Sequence, residues 1–320
     1  MRDGEDSLVL ERGLMRTMTG WTAELELLIR PTDAYYCLCP SKRRSGSSFT
    51  AVASMNSQLS ERFEIALNTS AGQITTAVDV PTGFVPVTSI VPLMRRLGEE
   101  AQALEVARVG EEGKVPSCQK GCAACCRMLV PLSAPEAFSV REWVRSRPVE
   151  QQSRIMARFA ETKVRLLSTG IWQQLSELCK ASDPCSDEIV DEVNHRYYAL
   201  RLACPFLEEE VCTIYDERPA ACRELLVTSP ADRCEDLLAN PVDTISAPLR
   251  ISTVLGLLWQ DLTNTSTRLI PLPLALDWAE GHAGSTDRMW KGTQLFDQTL
   301  DKVWRFLSQS FSDDGRAAGG

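Results

Sequence analysis

Four thiols fall within nine residues, in the order Cys118, Cys122, Cys125 and Cys126. Spacings this short let one loop wrap its sulfurs round a single centre, and soft thiolates select zinc or iron–sulfur clusters. Gly121 gives the backbone freedom to turn between ligands, and Ala123 and Ala124 leave room for a bulky group. Lys120 and Arg127 are placed to offset thiolate charge. A second set, Cys204, Cys212, Cys222 and Cys234, is more widely spaced. Its spacing predicts ligands presented from turns and helix ends. Free cysteine is also a common small buried hydrophobe. That reading suits Cys179 and Cys185 but not four thiols in nine residues. The two histidines, His195 and His282, have no metal spacing with a cysteine, so all-sulfur ligation is expected.

The surroundings of these residues set the chemistry they can do. The 320-residue chain carries a net charge of −9, which argues against a nucleic-acid partner, since that needs a basic face. The short run Lys42-Arg43-Arg44 reads as a solvated loop. No apolar run reaches the length that spans a bilayer, and the acidic start, Met1 to Asp6, lacks the apolar stretch of a secretory signal. A cytoplasmic location without a membrane is therefore expected. In a reducing compartment persistent disulfides are rare, so 12 cysteines point to metal or redox work.

The elements that must position the thiols are mainly helical. Residues 1–54 show no clear period and read as a poorly ordered extension, with Met55 a candidate true start; Cys37 and Cys39 lie there. From Arg62 to Val87 the period is two. Phe63, Ile65 and Leu67 alternate with polar residues, as do Ile74, Thr76, Val78 and Val80, and Pro81-Thr82-Gly83 turns the chain into a third strand. This predicts a small hairpin or meander. Leu93, Leu97, Ala101 and Leu104 predict a helix over 91–109, ended by Gly110 and Gly113. Ser133 to Glu136 is a capping box ahead of Ala137 to Val144. One amphipathic helix is expected over 149–178, another beginning at Pro248, and a last one over 287–308. The expected division is 55–114 for the β element and its helix, 115–236 for a cysteine-cluster metal-binding domain, and 237–320 for a helical segment packed on it. The metal site is expected between helices and turns. The helices over roughly 135–200 must fold back so that the two thiol sets meet.

Cys118-x3-Cys122-x2-Cys125-Cys126, then Cys204-Pro-Phe-Leu, then Cys212-x-Ile-Tyr-Asp-x-Arg-Pro-x-x-Cys222-Arg resembles the YkgJ-like cysteine-cluster family, also described as a zinc- or iron-chelating domain. The resemblance covers about residues 115–235. It implies metal ligation by Cys118, Cys122, Cys125, Cys126, Cys204, Cys212 and Cys222; Cys234 is added from its spacing. Pro205 and Pro219 stiffen the turns that present Cys204 and Cys222. Arg218 and Arg223 are candidates to bind the cofactor, donating hydrogen bonds to its sulfurs or to an acidic partner; the alternative is ion pairs with Asp216, Glu217 or Glu224. Phe206 and Tyr215 are expected to cover the site.

The expected function is metal binding, by an iron–sulfur cluster in preference to zinc, in a redox or structural role. An enzyme is the alternative, because some larger proteins resembling the family are flagellin lysine N-methylases. The spacing Cys118-x3-Cys122-x2-Cys125 is also that of radical S-adenosylmethionine enzymes. The immediate fourth thiol, Cys126, and the helical downstream pattern count against a place among them, and no Gly-rich cofactor loop is visible. A disulfide-stapled protein without metal is the third possibility. The sequence names no partner.

Overall fold

Strict alternation over residues 60–81 has the expected consequence. Ser60–Thr69 (β1) and Gly72–Pro81 (β2) form an antiparallel hairpin in which Ile65 faces Thr76 and Leu67 faces Ile74. Gly72 closes its turn at φ +136°, a conformation that favours glycine. The third strand, Phe84–Pro86 (β3), does not complete a meander. It leaves β2 and pairs with Met289–Lys291 (β10), far along the chain. The computed structural model describes residues 59–317 except 181–185, 238 and 266–268, with side chains described as far as 308. The expected extension over 1–54, with Cys37 and Cys39, lies outside the described residues, as does Cys185.

The remainder is mostly helical, in the order Val91–Glu111 (α1), Ala134–Arg145 (α2), Val149–Ser168 (α3), Ile171–Lys180 (α4), Asp187–Ala199 (α5), Ala220–Glu224 (α6), Ile251–Thr263 (α7), Ala275–Gly281 (α8), Ala283–Thr286 (α9) and Gly292–Ala317 (α10). Two-residue strand pairs join distant loops: Pro131–Leu132 (β4) with Ile270–Pro271 (β9), Leu207–Glu208 (β5) with Val211–Cys212 (β6), and Leu226–Val227 (β7) with Thr244–Ile245 (β8).

Three helices differ from the pattern read in the sequence. The single helix expected over 149–178 is two, because the chain turns at Gly170, where φ is +75°. Pro248 precedes α7 instead of lying in its first turn, and Arg250 is the N-cap. The last helix starts at Gly292, since residues 289–291 are drawn into the strand opposite β3. The capping box is formed as expected. Glu136 N donates to the Ser133 hydroxyl, and the Glu136 carboxylate accepts from Ser133 N at 2.9 Å.

The centre of the core is α7, whose residues from Ile251 to Trp259 are all buried. A helix apolar on every side must be surrounded. It packs against α10, α2, α1 and α6. Gly98 of α1 is what lets Ile251 approach, because a Cβ there would stand 2.6 Å from Ile251 Cγ1. The core runs unbroken from Ile65 of the hairpin to Leu307 of α10, and Phe63 meets Phe296 with ring centroids 5.4 Å apart. A separate small apolar cluster, Val227, Cys234 and Val242, lies under the first cysteine loop with Ala124 and Leu237 against it. Among the described residues no helix is long and apolar enough to cross a membrane.

Candidate metal centre

The cysteines arrive on short, irregular pieces of chain, and hydrogen bonds fix those pieces to one another. The first loop ends in a 3-10 turn, Ala124–Arg127, that carries Cys125 and Cys126. The backbone of Cys204 donates to the Cys126 carbonyl at 2.7 Å, so the two distant thiol sets meet through main chain. The strands β5 and β6 are joined by Glu209 and Glu210, both in the left-handed region at φ +51° and +60°, and this tight hairpin brings Cys212 back toward Cys204. Arg127 then ties the hairpin to the first loop. It grips Glu210 with two bonds of 2.6 and 2.9 Å and the Ala123 carbonyl with a third at 2.9 Å. On the other side Ser117 N donates to Val227 O at 2.8 Å and the Ser117 hydroxyl donates to Ser229 O at 2.6 Å. Cys234, in the 3-10 turn Ala231–Glu235, packs on the first loop, and Leu237 N donates to the Tyr198 hydroxyl at 2.9 Å.

The thiols divide into two neighbouring groups. Cys118, Cys122, Cys125 and Cys234 line one cavity, with Ala124, Met128, Leu225 and Val227 as part of its apolar wall. The Cys126 thiolate feels the charges of Cys204 and Cys222, and Cys222 feels those of Cys204 and Cys212. Cys125 belongs to both: its charge reaches Cys118 and Cys234 on one side and Cys204, Cys212 and Cys222 on the other, and its side chain is hydrogen-bonded to that of Cys126. All eight are free thiols. Among the described residues no three His, Cys, Asp or Glu side chains stand close enough together to hold a metal ion.

Residues 117–237 match the family model CxxCxxCC, described as a "putative zinc- or iron-chelating domain". That segment is a cysteine-cluster domain of this family. No curated protein and no solved structure matches the chain.

Cys234 of the cysteine-cluster domain is buried, Cys118 is exposed, and the other thiols are partly buried. Burial pushes the Cys204 thiol up to about 12 and Cys234 up to about 11, and raises Cys118, Cys212 and, further, Cys222. Neighbouring thiolates add to each of these shifts. Opposing them are amide donors aimed at sulfur. Val227 N donates to Cys118 Sγ at 3.3 Å, Phe206 N serves Cys204, and Ile214 N serves Cys212. In the Cys125–Cys126 pair the shared hydrogen bond holds Cys125 down and Cys126 up, so one thiolate forms readily and the second does not. Eight soft donors, amide N–H groups on three of them and an apolar wall fit zinc or iron–sulfur chemistry.

The charged residues of the domain divide their work differently from the reading of sequence alone. Arg127 is engaged by Glu210, and Lys120 lies exposed beside Asp216 at 3.8 Å. Arg218 is the cation whose charge lowers Cys118, Cys125, Cys212 and Cys222, and its guanidinium stacks on Tyr215 at 4.1 Å. Arg223 turns away from the thiols and braces the loop between Cys212 and Cys222: it bonds the Arg218 and Asp216 carbonyls and pairs with Glu99. Phe206 is fully buried against Phe159 at 5.3 Å, anchoring the Cys204 turn in the core, while Tyr215 stands between Lys120 and Arg218. His282 is stacked on Trp278 at 4.1 Å, outside the centre.

Two buried glutamates hold α6, and with it Cys222. Glu136 is fully buried and accepts from Ala220 N at 2.9 Å, from Ser252 Oγ at 2.8 Å and from Ser133. Glu224 accepts from Ile251 N at 2.7 Å and is raised to about 8, chiefly by burial. Sequence reading found Glu136 as a cap but had no signal for its second role, because Ala220 and Ser252 are far away in the chain. It gave no signal for Glu224 as an anchor.

Proposed function

We propose that the cysteine-cluster domain binds an iron–sulfur cluster with ligands drawn from Cys118, Cys122, Cys125, Cys126, Cys204, Cys212, Cys222 and Cys234, in a structural or electron-transfer role. The observation that supports this reading is that the first cysteine loop is bonded to the Cys204 turn and shares a cavity wall with Cys234. A small cavity of about 30 Å³ remains among the sulfurs of the first group, and the short spacing from Cys118 to Cys126 is what favours a cluster over zinc. Amide N–H groups directed at sulfur and an apolar wall are the features that tune a cluster. When bound, the group supplies positive charge that stabilises the thiolates and, if it is iron–sulfur, one-electron chemistry. The chain's part is to hold the deprotonated ligand sulfurs in place, to shield them with Met128, Leu225 and Val227, and to set their field through Arg218.

Purification without oxygen, followed by iron, acid-labile sulfide and zinc analysis and a visible spectrum, tests this. Brown material with matched iron and sulfide is the expected result. Colourless material with stoichiometric zinc on the same thiols replaces the cluster by zinc. Material with none of these metals in any preparation overturns metal binding.

A further inference from the structure

On the far side of α6 from the thiols lies a cavity of about 320 Å³ between α1, α6 and the start of α7. It is lined by three arginines, Arg95, Arg218 and Arg223, and by the apolar residues Ala103, Val106 and Leu226. The volume is in the range of small-molecule sites. Arg95 is 5% exposed and Arg218 half-buried, and the Nε of each has no hydrogen-bond partner among the described residues. Both nitrogens are closed off from solvent, so they mark positive charge buried beside the cavity, and a ligand meets the outer N–H groups of the guanidinium. Two of the arginines already hold carboxylates: Arg95 meets Glu217 at 2.6 Å and Arg223 meets Glu99. Arg218 has no carboxylate partner among the described residues; its plane rests on Tyr215.

We propose that this cavity binds the oxyanion group, carboxylate or phosphate, of a small organic molecule, with Arg95 and Arg218 donating to the anion and its apolar body against Val106, Leu226 and Ile251. Planar guanidinium groups match the two-oxygen geometry of both anions. The Glu99 carboxylate on the wall disfavours a polyanion and sets the ligand's charge low. Arg218 also acts on the thiols, so metal content is measured beside anion binding in its variant.

The intact chain, with whatever metal it carries, is titrated by calorimetry with inorganic phosphate and, separately, with hexanoate. Saturable binding of one anion per chain is expected. Phosphate alone binding identifies a phosphorylated ligand, and hexanoate alone a carboxylic acid. Ala103→Trp fills the mouth from an exposed helix position without touching an arginine, and Arg218→Gln removes the unpaired donor. Each weakens binding about tenfold or more, as loss of a charge-assisted bond or of the space does. Arg145→Gln, at an exposed ion pair with Glu280, leaves it unchanged. No heat from either probe at millimolar concentration overturns the proposal, as does binding that survives Ala103→Trp and Arg218→Gln at full strength.

Discussion

The two sulfur groups stand on different foundations. Cys204, Cys212 and Cys222 pack against the main core, on turns pinned by Phe206 and by the buried Glu136 and Glu224. Cys118 and Cys122 stand beside the small cluster of Val227, Cys234 and Val242, on loops held by Ser117, Tyr198 and a two-residue strand pair. Stability in a fold is local, and segments with little buried apolar contact open first. The second group is thus set by the main core, while the first rests on far less buried apolar contact. Cys125, between them, transmits the loss of either.

That contrast can be broken most forcefully at its centre. Cys125→Ala is expected to abolish metal binding, while Cys234→Ala, at the margin of the first group, lowers metal content only in part. Metal analysis of the two purified variants decides it; equal loss in both would erase the distinction. Next in size is Glu136→Ala. It strands Ala220 N, Ser133 and Ser252 in the core and is expected to destabilise the chain by about 3 kcal/mol, read by denaturant unfolding.

Acid separates the groups more gently. Because burial holds Cys118, Cys204, Cys212, Cys222 and Cys234 above the ordinary thiol value, they are protonated in the metal-free chain at neutral pH. Metal uptake must displace those protons. Affinity is therefore expected to fall as pH falls, by about tenfold per pH unit for each proton released. Chelator competition at pH 6 and pH 8 measures it, and a pH-independent affinity contradicts thiol ligation. The smallest effect is Gly170→Ala, which forces a Cβ onto φ +75° in open space, remote from both groups. It is expected to cost about 1 kcal/mol in thermal unfolding and to leave metal content unchanged.

Much of the molecule was legible one element at a time. Ile65, Leu67, Ile74 and Val78 declared a hairpin by their period, and Ser133 with Glu136 declared a helix start, because both signals involve neighbours within a few residues. The break at Gly170 was missed because the apolar spacing continues across it. The pairing of β3 with β10 was missed because a three-residue strand has no pattern of its own and takes its partner from packing.

For the site, residue type and spacing alone named the eight thiols and the chemistry they favour, since sulfur's softness is a property of the side chain and not of its surroundings. The fold decided which sulfurs are neighbours, that the charge of Arg218 reaches four of them while Arg127 is paired with Glu210, that Arg223 serves α1, and that Arg95 and Arg218 line one cavity. Those are relations between groups many residues apart. They come into being only when the chain closes on its core, because electrostatic reach and hydrogen bonding depend on distance in space and not on distance along the sequence.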